Sequence, residues 1–348
     1  MPDVWQLGNT WVPQFVSLNA LENLDPWIKG SAALKKENYF EGIWNTNEIE
    51  GKIYGVPWYV DTRVLFYRTD VVKEAGFDAP PKTWDELLRL CRNIKAKSGD
   101  SEKYAIYMPT NEWASFAIFA LQNGAPMLKD NNSYGDFSNP KFKEAFGFCI
   151  NLIDEKLAPL GFSQVTNVYQ AFADKYFALY ISGPWNVTEF KRWMKGNLKD
   201  KWMTAPLPGK EASKPGLSLA GGSSLVMSAK SEHKKDAWKL IEFLSRSDIQ
   251  LEFYREASDL PAVKKAWDDS SLANNIYMKA FYKQFDFVAP TPKVTEWEQI
   301  AFSKIQQYAE ATAGKSMSLD NALKALDADV NKILEKRRWL LKKNKIKS

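Results

Sequence analysis

A chain of 348 residues with 45% hydrophobic and 26% charged side chains is too long for one ordinary domain and suits two lobes of roughly 150 residues, each able to bury a core. That balance excludes a disordered or fibrous chain, and no apolar run approaches the roughly 20 residues of a membrane span. The formal charge of +5 gathers at Lys336, Arg337, Arg338, Lys342, Lys343, Lys345 and Lys347, a run that reads as a solvated, frayed tail; without it the chain is close to neutral, which argues against nucleic acid as a partner.

Short apolar runs alternate with longer helical patterns, the signature of an α/β fold. In chain order, Asp3 to Leu7, Val64 to Tyr67, Phe177 to Ile181 and Ser224 to Ser228 read as strands. After Pro80-Pro81, Thr83 caps a helix and Glu86 completes a capping box, with Leu87, Leu90, Cys91 and Ile94 on one apolar face. A second helix runs from about Lys235 to Leu244 with Ala237, Leu240, Ile241 and Leu244 inward. A third starts at Ser318 and carries Ala322, Leu323, Leu326, Val330 and Leu334. Pro and Gly cluster at 205–209 and 214–216, just before Ala220-Gly-Gly222, so the chain makes a surface excursion there and re-enters a sheet. There is no internal repeat and no low-complexity linker, which suggests several crossings between the lobes.

The chemistry-bearing residues are few in kind. His233 is the only histidine and sits in the polar run Ser-Glu-His-Lys-Lys, so neither a zinc site nor a Ser-His or Cys-His centre is expected, and no cofactor. Cys91 and Cys149 lie among apolar residues and read as buried thiols. With 14 Trp, 14 Tyr and 20 Phe, some rings can serve as flat platforms for the apolar face of a pyranose, while an aromatic-rich core explains the same count.

The stretch Gly51-Lys-Ile-Tyr-Gly-Val-Pro-Trp-Tyr-Val-Asp-Thr-Arg-Val-Leu-Phe-Tyr-Arg-Thr-Asp70, then Gly76-Phe and Pro80-Pro-Lys-Thr-Trp-Asp-Glu86, resembles the extracellular solute-binding proteins, family 1, of sugar ABC transporters. The segments Pro2 to Trp11, Ser182-Gly-Pro-Trp-Asn186, Ala220 to Leu225 and Ala322 to Leu334 follow in that family's order. The resemblance implies a two-lobed periplasmic-binding-protein-like fold of type II with three inter-lobe crossings, near Tyr59 to Thr62, Gly221 to Leu225 and Leu260 to Val263. Lobe 1 would hold residues 1–60 and 225–261, lobe 2 residues 62–221 and 263–348. It also implies an N-terminal truncation, since Met1 is followed at once by Pro2 and Asp3 where the family carries a leader and a first strand-helix-strand. By resemblance the protein is a periplasmic or cell-surface monomer, attached to the membrane only through such a leader or lipid anchor. It closes on a sugar in the inter-lobe cleft and presents it to ABC permease subunits, without catalysis.

The matching loops nominate the ligand-binding residues. Asn9, Thr10 and Trp11 would face the cleft from lobe 1. Trp58 and Asp61 bracket the first crossing, a ring for stacking and a carboxylate for hydroxyls, with Arg63 as a ligand contact or an ion-pair partner. Trp185 is the expected platform of lobe 2, with Asn186 beside it after the Gly183-Pro184 turn. Gly222 and Ser223 can offer N–H and hydroxyl groups, or simply make a tight turn, and Trp113 and Trp297 are further rings with an equally good case as core. The main rival is a glycosidase built on a carboxylate pair such as Asp61 and Glu112, but nothing around them reads as a catalytic motif. A binder of peptide, polyamine or metal, or a sensor subunit, is the second rival; polyamine sites want more carboxylates and metal sites more histidines.

Overall fold

The protein is described by a computed structural model covering residues 2–161 and 165–343. The chain divides into two compact α/β units, the first formed by Met1–Thr62, Leu219–Glu298 and Arg337–Ser348, the second by Arg63–Ser218 and Gln299–Lys336. Among the described residues no helix is long and apolar enough to cross a membrane.

The sheet of the first unit is antiparallel and runs Val4–Gly8, Gly221–Met227, Val56–Asp61, Leu260–Pro261. Gly221–Met227 is central and is buried from Ser223 onward, as a strand covered on both faces should be. One residue of slip between Ser223 and Ser224 bends it where it pairs with Val56–Asp61. Leu7, Val12, Leu21, Ile49 and Val226 form a core against one part of this sheet. A second aromatic core joins Phe40 to Phe285 at 4.9 Å and to Trp267 edge-on at 6.4 Å.

The sheet of the second unit runs Trp202–Ala205, Val64–Arg68, Leu179–Ser182, Ile106–Tyr107. Val64, Leu65, Phe66 and Arg68 are all fully buried. Phe66 stacks on Phe190 at 5.1 Å and lies parallel to Trp202, and Phe190 meets Phe172 edge-on. Helix Trp113–Gln122 is buried on every side through Ala120, so it is a core element rather than a surface one. In the middle of this unit Arg68 has no exposed surface. Its guanidinium forks onto Asp70, with Nε to Oδ1 at 2.9 Å and Nη2 to Oδ2 at 2.8 Å, while Nη1 donates to the carbonyls of Phe172 and Ala173. Burial alone would raise the Asp70 carboxyl, but the hydrogen bonds and charge of Arg68, with Lys175, hold it below the usual carboxylate range.

The α/β reading of the sequence is the fold observed, and the Thr83 helix is where it was expected: it spans Trp84–Ser98, Thr83 accepts from the Glu86 N–H, and Glu86 reaches back to the N–H of Lys82 rather than Thr83. Other expectations need correction. Helix Lys234–Leu244 turns Leu240 outward and buries Trp238 with Ala237 and Ile241. The chain does not leave the first unit at Leu260–Val263. Leu260 and Pro261 pair with Val60 and Tyr59, the N–H groups of Ala262 and Val263 both donate to Gln250 Oε1, and Trp267 Nε1 donates to Pro261 O. These bonds keep residues 263–298 in the first unit, and the departure comes after Glu298. Nor is the basic run frayed: Glu335–Lys342 is a helix and Arg337 is only 8% exposed, because it is buried in the first unit near Glu296 and Glu50, whose charges oppose the loss of hydration. Lys345 and Lys347 lie outside the described residues.

Candidate functional site

Strand pairing gathers the first set of residues at one end of the first unit's sheet. Gly8 lies opposite Ser223, Gly222 opposite Val60 and Gly221 opposite Asp61. The turn Asn9–Trp11 therefore emerges where Gly221–Met227 begins and Val56–Asp61 ends. Glycine is required at 222, where φ is +113° and an added Cβ would lie 2.2 Å from the Tyr59 carbonyl oxygen. That close approach lets the Ser223 hydroxyl donate to Tyr59 Oη at 3.0 Å. Ser224 Oγ donates to Asn9 Oδ1 at 3.1 Å, which fixes the amide. Asn9 Nδ2 is buried with no hydrogen-bond partner, so it holds an unused donor. It lines a recess shared with Thr10, Thr46, Thr291 and Lys293, whose volume of about 10 Å³ has room for roughly one water-sized group and no sugar ring. Burial lowers the Lys293 ammonium against the pull of Glu48, whose carbonyl it also bonds at 2.9 Å. Asp61 is half-buried over Gly221, whose added Cβ would meet its carboxylate. Burial, and then the Asp61 charge, raise the neighbouring Asp259 carboxyl.

A second set lies at one end of the second unit's sheet. Val64 pairs with Ser182, so Arg63 and the turn Gly183-Pro184-Trp185 leave the sheet side by side. Trp185 is 48% exposed, and an added Cβ on Gly183 would meet its ring at 2.0 Å, so the indole lies directly against the glycine main chain. The Arg63 guanidinium sits over the same ring, 4.6 Å from its centroid. Tyr180 feels the charges of Arg63 and Glu112, and its ring centroid lies 5.4 Å from that of Tyr107. Burial, reinforced by Tyr180 and Glu112, pushes the Tyr107 phenol up to about 12. Burial also raises Tyr180, with a Ser182 hydrogen bond and the Arg63 charge opposing it.

Several nominated residues are placed elsewhere. Trp58 is 7% exposed and stacks on Phe253 at 4.6 Å; Trp113 is equally buried, edge-on to Phe302; Trp297 has no exposed surface. These are core rings. Asn186 is turned inward, donating to Ser182 Oγ at 2.5 Å and accepting from Tyr169 Oη at 2.8 Å. It braces the Trp185 turn and offers no group to solvent. Trp11 is 50% exposed, as a platform must be. The sequence reading passed over Tyr107, Tyr180, Thr291 and Lys293, and weighed Glu112 only as a catalytic carboxylate. A lone tyrosine at alternate positions of an apolar strand, as in Ala178-Leu-Tyr180-Ile-Ser182, is the one signal that points to Tyr180.

Two α/β units with polar turns at their sheet ends and an exposed tryptophan are the features on which a binding site can be built; among the described residues no cluster of His, Cys, Asp or Glu could hold a metal. The chain belongs to the bacterial extracellular solute-binding protein family, whose signature runs through residues 1–251. It is similar in structure to the sugar-binding protein MalE of Xanthomonas citri, with a TM-score of 0.94 and 43% identity, covering 98% of this chain and 86% of that one. A solute-binding protein of Thermotoga lettingae, solved with α-D-tagatose bound, matches with a TM-score of 0.77 and 26% identity over 96% of this chain and 85% of that one. The diacetylchitobiose-binding protein DasA of Streptomyces coelicolor is 27% identical over 338 residues, 96% of this chain and 77% of DasA.

Proposed function

We propose that this chain is the sugar-binding component of an ABC importer, working outside the cytoplasm as a monomer and handing its ligand to membrane permease subunits. The observation that carries this reading is Trp185, half-exposed against the Gly183 main chain where no Cβ could stand, with the Arg63 guanidinium over its ring and Tyr180 within reach of that charge. An indole surface takes the C–H face of a pyranose, and the phenols and Glu112 can take its hydroxyls. In the first unit Thr10, Trp11, Asp61 and the Asn9 donor are the groups proposed for ligand binding. Similarity to MalE of Xanthomonas citri supports the ligand class.

Calorimetric titration against a panel of mono- and oligosaccharides tests it. The expected result is saturable binding by the wild-type chain, weakened about tenfold or more in Trp185→Ala, equivalent to about 1.4 kcal/mol or more of lost ring burial. A well-folded wild-type chain that binds no sugar of the panel would sink the reading.

A further inference from the structure

The recess beside Asn9 combines an unspent donor with rigid walls, and every residue that lines it belongs to the first unit. Asn9 is 5% exposed; its Oδ1 accepts from the Ser224 hydroxyl at 3.1 Å, and its Nδ2 has no hydrogen-bond partner. A buried N–H without an acceptor carries its full desolvation penalty, so the fold keeps this donor at a cost. The nearby Thr46 hydroxyl is engaged by Ile43 O and Asn47 Nδ2. Thr10, Thr291 and Lys293 make up the rest of the polar lining, and Pro13, Pro290 and Pro292, whose rings restrict the main chain, stiffen the wall. Resting on the sugar-binding reading above, we infer that this recess is a one-oxygen subsite: it takes a single exocyclic hydroxyl of a neutral saccharide, whose oxygen accepts from Asn9 Nδ2.

Size and charge both select a hydroxyl. A volume of about 10 Å³ admits one oxygen-sized group, whereas a carboxylate brings two oxygens and a full charge. Lys293 adds a cation to the lining, but its ammonium already donates to Glu48 O at 2.9 Å and the Glu48 charge sits close enough to support it. The positive charge is therefore offset from within the protein, and an anion is not needed to balance it. A hydroxyl can accept the Asn9 N–H and pass its own proton to a threonine oxygen, using both of its capacities. A methyl group would fit the same volume and leave the Asn9 donor unpaired. The recess thus discriminates by the presence of an oxygen rather than by shape, the kind of selection that a buried unpaired donor makes strong.

Crystals of the wild-type chain grown with whichever of glucose, galactose, maltose and cellobiose binds most tightly give the first test. A sugar hydroxyl oxygen is expected at about 2.7–3.2 Å from Asn9 Nδ2. Sugar bound with a water in the recess, or with the recess empty, would overturn the inference. Calorimetry gives the second test. The deoxy analogue lacking that hydroxyl should bind the wild-type chain about ten- to a hundredfold more weakly than its parent. Asn9→Asp keeps the acceptor for Ser224 and replaces the recess donor with an acceptor, so it should weaken the parent sugar and bind parent and deoxy analogue about equally. An Asn9→Asp chain with wild-type melting behaviour that still prefers the parent by the wild-type factor would refute the assignment. Glucuronate or galacturonate bound more tightly than the matching hexose would refute it in favour of an anion site. A wild-type chain that binds no sugar of the panel would instead remove the reading beneath it.

Discussion

Replacing Asp70 with asparagine should destabilise the second unit far more than its position in the first turn of the short helix Thr69–Glu74 suggests. Arg68 is wholly buried, and among the described residues Asp70 supplies the carboxylate that its fork meets, in two bonds of 2.9 and 2.8 Å. Asparagine retains one acceptor and turns an amide donor toward the other N–H. One charge-assisted hydrogen bond is then lost, at about 1.5–3 kcal/mol, and a buried cation keeps only neutral partners, which raises the total to roughly 2–4 kcal/mol. For a unit of this size that corresponds to a fall of about 5–15 °C in Tm. The loss should depend on pH in one direction. The Asp70 carboxyl is held below its ordinary range, so its contribution is present at neutral pH and disappears as the pH falls through its folded value, below about 4. Calorimetric melts of wild type and Asp70→Asn from pH 7 down to pH 2.5 should therefore converge in acid. A Tm within 1 °C of wild type at pH 7, or a gap that stays constant into acid, would refute the argument.

Further substitutions probe other parts of the chain. Gly222→Ala forces a Cβ into a backbone at φ +113° and 2.2 Å from Tyr59 O, and should remove about 2–3 kcal/mol from the first unit in urea melts followed by circular dichroism. Thr83→Ala removes the bond to the Glu86 N–H and should lower stability by about 1 kcal/mol, with Thr83→Ser near wild type. Burial pushes both the Cys91 and Cys149 thiols up, so Ellman's reagent at pH 8 should modify neither in the native protein and both in guanidinium. Rapid labelling of either thiol under native conditions would contradict its placement.

What the sequence made legible was local or periodic. The Thr83 cap needs only neighbouring residues, and the alternation of strand and helix patterns gives the α/β class without any long-range contact. What it hid depended on where a side chain points after folding. Trp58, Trp113 and Trp297 have the same composition signal as Trp185, yet only Trp185 follows a Gly-Pro turn that carries its ring out of the sheet. Asn186, one residue further, is drawn inward by Ser182 and Tyr169, a preference that polarity alone does not reveal. The departure of the chain from the first unit was misplaced because Gln250 holds Ala262 and Val263 through its side chain, and no local pattern announces a glutamine bridge. Arg337 was misread for a similar reason: charge runs are usually solvated, and this one contains a residue that the fold buries.

The way the two units are threaded bears on how the chain acquires its structure. All four strands of the second unit's sheet fall within Arg63–Ser218, a continuous stretch. The first unit's sheet closes only when Gly221–Met227 inserts between Val4–Gly8 and Val56–Asp61, more than 150 residues after either partner has been made. Closing such long loops carries an entropic penalty before any contact repays it, so non-local pairings form slowly. During synthesis from the N-terminus, the second unit's sheet can therefore assemble while the opening strands wait unpaired for their central partner. The early strands of the first unit are the part of the molecule exposed longest to wrong pairing, and their pairing is the step expected to set the refolding rate.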